Sequence, residues 1–170
     1  SYYTQDKLDQ AKTYYKKAIE LVDHYGDAHY NLAILLTKLG DNKPAILHLE
    51  RCLFLNPQRP MAYGQLAEVC LHEGDYLKAI ENYQQRLDLE PEHTASYFAL
   101  GQAYLEAHQM DDAIAAFKKT LFMQPNHLEA NHYLGNAHLG SGDTETAINY
   151  YYRQLEAQPM VESYYNIGVL

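Results

Sequence analysis

Residues 61–91 read MAYGQLAEVCLHEGDYLKAIENYQQRLDLEP. Tyr63, Leu66, Ala67 and Cys70 recur at i, i+3, i+4 and i+7, which places them on one apolar face of a helix. Glu73-Gly74-Asp75 then interrupts the pattern, because glycine supplies a backbone conformation that a helix does not use. Ala79, Ile80, Tyr83 and Leu87 restart it in a second helix. Pro91 ends that helix and biases Glu90 away from helical angles. Two amphipathic helices joined by so short a connection must lie antiparallel.

The same unit repeats along the chain. Pro57, Pro91, Pro125 and Pro159 are spaced by 34 residues. Ala11, Ala45, Ala79, Ala113 and Ala147 share that spacing, as do Leu32, Leu66, Leu100 and Leu134. Gly40 and Gly74 are one period apart, and Gly142 lies three periods after Gly40. One hairpin cannot bury its apolar face alone, so each unit is stabilised by its neighbours. Ala67, Gly101 and Gly135 mark close approach within a hairpin, and Tyr83, Phe117 and Tyr151 are expected to fill the gap between successive hairpins. Helices are predicted near 8–23, 27–39, 43–55, 61–73, 77–89, 95–107, 111–123, 129–140 and 145–157.

This pattern resembles the tetratricopeptide repeat family, whose signature is an aromatic, Leu-Gly, Tyr, Ala, a second-helix aromatic and a closing Pro over about 34 residues. Tyr97, Leu100, Gly101, Tyr104, Ala113, Phe117 and Pro125 match every place. Residues 60–93 match with Ala67 and Cys70 as variants. Residues 26–59 depart further, with His29 and Leu36 at the aromatic places and Cys52 at a small-residue place. Residues 128–161 carry Asn131 and His138 at the aromatic places. The fold expected is an all-α, right-handed superhelical solenoid of antiparallel helix hairpins. It would form a single domain of repeats 26–59, 60–93, 94–127 and 128–160 with partial units at 1–25 and 161–170. Residues 1–5 read as the tail of a first helix, and the end Ile-Gly-Val-Leu lacks a polar cap, so the sequence is expected to be a piece of a longer protein.

Composition narrows the function classes. The apolar fraction is 47%, too high for global disorder. The longest wholly apolar run, Leu32 to Leu36, is far below the roughly 20 residues of a membrane span. The net charge is -9 and lies mainly in the second half, where residues 87–170 hold eleven acids against Lys118, Lys119 and Arg153. Such a surface does not suit nucleic acid. It favours a basic or neutral partner. Cys52 and Cys70 fit no metal or redox spacing and read as small buried residues of a reducing, cytoplasmic compartment.

No catalytic constellation is legible. Gly140-Ser141-Gly142 lacks the Lys-Ser/Thr of a phosphate loop and falls on a hairpin turn. His132 and His138 are six apart, about 240° around a helix, so they cannot chelate one ion. Asp111 and Asp112 open a second helix, where negative charge complements the dipole. The chain is therefore read as no enzyme, with no cofactor and no metal. Its expected role is a protein-interaction scaffold, or alternatively a regulatory or substrate-recruiting region of a larger enzyme such as a glycosyltransferase or methyltransferase.

In this family the first helices line the inner, concave side. The stripe beside the packing face then holds Phe98, Gln102 and Leu105, with equivalents Tyr30, Ile34 and Thr37; Gly64, Glu68 and Leu71; and His132, Asn136 and Leu139. Tyr165 continues the row. Tyr30, Ile34, Glu68, Leu71, Phe98, Gln102, Leu105, His132, Asn136 and Tyr165 are the candidate partner-binding residues. A floor of aromatics, aliphatics and amides edged by Glu68, Glu106 and Glu129 suits a peptide or protein with apolar and basic character. The Lys and Arg of a carboxylate clamp are lacking, since Met61 and Gln65 stand at those places. No membrane contact is expected. Self-association through open ends is a further possibility.

Overall fold

A computed structural model describes the backbone of residues 2–170 and the side chains from Lys7 onward. Every regular element among the described residues is an α-helix. The chain forms two compact units, residues 1–89 and 90–170. The first holds α1 (Tyr2–Leu21), α2 (Gly26–Lys38), α3 (Asn42–Leu55), α4 (Pro60–His72) and α5 (Tyr76–Leu89). The second holds α6 (Thr94–Glu106), α7 (Met110–Met123), α8 (Ala130–Gly140), α9 (Thr144–Ala157) and α10 (Val161–Val169).

In the first unit α2 pairs with α3 and α4 with α5, while α1 packs on α2 and α3 on α4. In the second unit α6 pairs with α7 and α8 with α9, while α7 packs on α8 and α9 on α10. These are the antiparallel hairpins of the 34-residue period. The first helix differs from expectation: it starts at Tyr2, and residues 2–5 run straight into it instead of ending an earlier helix. No Gly or Pro interrupts residues 2–21, so nothing there breaks the helix. Ser1, the remainder of that expected tail, lies outside the described residues.

The periodic residues form the core. Ala45, Ala79, Ala113 and Ala147 are fully buried, as are Leu32 and Leu134. The second-helix aromatics also pack within their own hairpins, beyond the expected place between hairpins. A Cβ built at Gly101 would fall 2.6 Å from Cε1 of Phe117, and one at Gly135 would fall 2.5 Å from Cδ1 of Tyr151. Each ring thus occupies the space left by a glycine of its own hairpin. Phe117 also reaches the next hairpin, stacking on Tyr133 at 5.5 Å. Burying each such ring is worth roughly 1.5–3 kcal/mol, and the glycine makes the close approach possible.

The hairpin turns share one geometry. Gly40, Gly74 and Gly142 have φ of +80°, +80° and +86°. Their place in the third hairpin is taken by His108, also left-handed at φ 58°.

Candidate functional site

The candidate residues are placed by the first helices, and each unit builds its part separately. On α2, Tyr30 and Ile34 are half-buried although Leu32 and Ala33 between them are wholly buried. This alternation follows from the 100° step of the helix, which turns the two away from the packing face. Arg59, the residue before α4, lays its guanidinium 4.2 Å from the Tyr30 ring and pairs with Asp27. Glu68 is exposed on α4 and accepts a hydrogen bond from Gln65 Nε2 at 2.8 Å. Leu71 is half-buried. Thr37, Asn42, Glu68 and His72 border a recess of about 300 Å³, which brings together two positions of the expected row, Thr37 and Glu68.

A cation enters this face that the row itself does not contain. Arg86 of α5 reaches α4 at Gly64, where its Nη1 occupies the space of a side chain. Glu68 and Arg86 both act on Tyr83, whose phenol is held well above its usual range chiefly by burial. Arg86 therefore brings positive charge to the face of α4 that also carries Glu68.

In the second unit the row is more deeply engaged. Phe98 packs edge-on to Phe117 at 5.7 Å and to Tyr133 at 5.3 Å, and lies 4.3 Å from His127. Leu105 packs on the cluster of Ala113, Phe117, Leu134 and Ala137. Gln102 is half-buried, and Tyr165 stands 68% exposed.

His132 is the main departure from the expected surface, being buried at 7% exposure. Its Nδ1 lies 2.9 Å from Ser163 Oγ and its Nε2 3.1 Å from Asn136 Nδ2. Asn136 Oδ1 accepts from the Tyr151 hydroxyl at 2.8 Å and from Asn166 Nδ2 at 3.2 Å. Asn136 Nδ2 can only donate, so Nε2 of His132 accepts and its Nδ1–H donates to Ser163. The network thus requires a neutral imidazole. Burial pushes the His132 pKa below the ordinary value, against the opposing pull of Glu162 and Glu129. A side chain with both ring nitrogens engaged is a structural tie between α8 and α10 and not a free contact. Ser163, Asn166 and Tyr151 complete the network.

A second imidazole tie lies in the first unit. His29 Nδ1 is 2.9 Å from His48 Nδ1, and His29 Nε2 is 3.3 Å from the Asp23 carbonyl oxygen. Among the described residues no three His, Cys, Asp or Glu side chains converge as metal ligands. No helix among them is long and apolar enough to cross a membrane.

Three family models match the chain. Two described as tetratricopeptide repeat cover residues 2–69 and 98–160, and one described as anaphase-promoting complex, cyclosome, subunit 3 covers residues 40–120. No curated protein sequence matches significantly. Among solved structures, MamA is 25% identical with a TM-score of 0.84 over 91% of both chains. A MamA structure from Desulfovibrio magneticus RS-1 is 23% identical with a TM-score of 0.83, over 91% of this chain and 88% of that one. YrrB, described as a tetratricopeptide protein with an unusual peptide-binding site, is 20% identical with a TM-score of 0.90, over 98% of this chain and 86% of that one. The 34-residue hairpins, the alanine and leucine series buried at their cores and these family matches agree: the chain belongs to the tetratricopeptide repeat family.

Proposed function

We propose that this protein-interaction scaffold contacts its partner through the first-helix faces of each unit, and that the partner is a peptide or protein segment of apolar and basic character. One observation carries the reading. On α2, α4 and α6 the packing residues Leu32, Leu66 and Leu100 are buried, while Tyr30, Ile34, Leu71, Phe98 and Leu105 on the same helices keep part of their apolar surface in water. The exposed Glu68 supplies a place for a basic side chain. The family is generally a non-catalytic scaffold, which agrees with a binding role. The two free, buried cysteines, Cys52 and Cys70, support a reducing, cytoplasmic setting.

Selection from a random peptide library tests this. Selected peptides should be enriched in apolar residues flanked by Lys or Arg. Replacing Ile34 and Leu71 together by Ser should weaken their binding at least about tenfold, the scale of losing two partly buried aliphatic contacts, with little change in the helical melt. Glu68→Gln should mainly slow association and reduce its salt dependence. Peptides that bind the Ile34/Leu71 variant as tightly as the parent would place the contact on another face.

A further inference from the structure

One pair of side chains breaks the chemistry of the series. His29 of α2 and His48 of α3 stand at the register of Tyr63 and Asn82, Tyr97 and Ala116, and Asn131 and Tyr150 in the later hairpins. Tyr, Asn and Ala carry no charge near neutral pH, whereas an imidazole titrates there. The two rings meet with centroids 5.1 Å apart and Nδ1 2.9 Å from Nδ1. His29 is 5% exposed and His48 half-buried.

The contact fixes where the hydrogens lie. The Asp23 carbonyl oxygen can only accept, so His29 Nε2, 3.3 Å away, carries a hydrogen. Nδ1 of the neutral His29 ring therefore accepts, and His48 Nδ1–H donates. One added proton has a place, at His48 Nε2, and leaves the contact intact. A second puts hydrogen on both Nδ1 atoms, which then cannot stay at bonding distance.

The surroundings oppose positive charge. His29 is the fourth residue of α2, where the helix dipole disfavours a cation. Burial, then the His29 ring and Lys16 of α1, all lower the His48 pKa. The neighbouring acids are already paired: Asp23 with Arg51 of α3 at 2.7 Å, Asp27 with Arg59 ahead of α4, and Glu50 of α3 with Lys78 of α5 at 2.5 Å. Burial raises the pKa of Cys52, one turn on from His48, and keeps it a neutral thiol.

We propose that the His29–His48 pair is a proton-operated latch, which holds α2 on α3 while the pair carries at most one proton and releases them when both rings are protonated. In the opened hairpin both rings take protons below about pH 6.5. Opening is thus linked to the uptake of one to two protons, so the open fraction should rise about tenfold to a hundredfold per pH unit below that point. Because α2 carries Tyr30 and Ile34, its release also withdraws them from a partner. That consequence rests on the proposed function, whereas the opening itself does not.

Hydrogen exchange of the 170-residue chain from about pH 7.5 to about pH 5.5, corrected for the intrinsic rate, tests the latch. Below about pH 6.5, protection of residues 26–55 should fall at least about tenfold per pH unit relative to residues 60–89, the hairpin that holds Tyr63 and Asn82. Replacing the pair by that of the next hairpin, His29→Tyr with His48→Asn, should abolish this excess fall. His48→Gln should do the same, because an amide can donate to the neutral His29 ring and accept from the protonated one. Circular dichroism at the upper pH shows which variants are folded, and either one suffices. A parent in which the two hairpins lose protection in parallel overturns the proposal. A folded variant that keeps the parent's excess fall overturns it equally.

Discussion

His108 closes the third hairpin turn in a conformation that its neighbours in the series reserve for glycine, so His108→Gly should stabilise the second unit. Gln109 N donates to Tyr104 O at 2.8 Å, matching the 2.9 Å bonds from Asp41 to Leu36, Asp75 to Cys70 and Asp143 to His138. The turn therefore keeps its full hydrogen bonding and does not relax its backbone by opening. A left-handed conformation costs an L-residue about 1–2 kcal/mol. The larger conformational freedom of glycine in the unfolded chain offsets roughly 0.4–1 kcal/mol of the relief. The net gain is about 0.5–1 kcal/mol. Gln109 adds a second departure, standing where Asp41, Asp75 and Asp143 stand in the other turns. Asp143 accepts from Thr146 N at 3.1 Å, whereas Gln109 makes no capping bond. Gln109→Asp should contribute about 0.5–1 kcal/mol more as an N-cap, lessened by repulsion from Asp111 and Asp112. For a unit of this size 1 kcal/mol moves the thermal midpoint by roughly 4–8 °C. Thermal and urea melts of the single and double variants measure the gain, with Gly74→Ala as a control expected to lose stability. A midpoint for His108→Gly at or below the parent's would refute the strain argument.

Two further outcomes follow from packing and titration. Gly135→Ala should cost up to about 2 kcal/mol, because overpacking of about 1–3 kcal/mol against the fully buried Tyr151 ring is set against a helix-propensity gain of about 1 kcal/mol; the same change at Gly168, with open space around it, should be neutral or stabilising, and equal effects at the two sites would contradict the seat of Tyr151 on Gly135. Stability should fall as pH drops below about 6.5, since the pKa of His132 is lowered in the folded state and the unfolded chain then binds more protons. His48 and His127, also held low by burial, act in the same direction. His132→Asn should flatten this slope in urea titrations run at several pH values, and an undiminished slope would show that His132 is not the buried neutral group described.

The helices were legible because the repeat makes nearly all core packing a matter of register. Ala113 lies under its neighbours for the same reason as Ala45, so reading one hairpin reads the others. The chemistry of the surface row was less legible. Arg59 over Tyr30 and Arg86 at Gly64 reach the row on long side chains from other elements, and spacing along one helix does not report such reach. His132 was placed on the row by its helix angle, but its partner Ser163 sits 31 residues away on α10, where the loop is one residue shorter than the period. That shift is visible in Ile167-Gly168, which lie 33 residues after Leu134-Gly135, although only the structure pairs the side chains. Phe98 keeps part of its surface in water while its ring packs against Tyr133 and His127, which helix angle alone does not report.

The departures from the repeat are coupled, and that coupling separates contact surface from scaffold. His138 stands at an aromatic place of the signature and restores the packing by stacking on Tyr150 at 5.3 Å and 17°. Its Nδ1 also lies 3.3 Å from the carboxylate of Asp143, the N-cap of the following helix. His132 likewise stands where the row has Tyr30 and Phe98, and it pairs with Asn136, while Ser163, Tyr151 and Asn166 bond to that pair. A buried polar network is costly when one member goes unpaired, so its groups are spent on one another. A ligand donating to Asn136 Oδ1 would compete with the two bonds that this oxygen already accepts. A ligand covering Ile34 or Leu71 displaces only water, and it gains roughly 25 cal/mol for each Å² of apolar surface removed from it. The physical case for partner contact is therefore strongest at Ile34 of α2 and Leu71 of α4, two aliphatic side chains of the row that keep part of their surface in water.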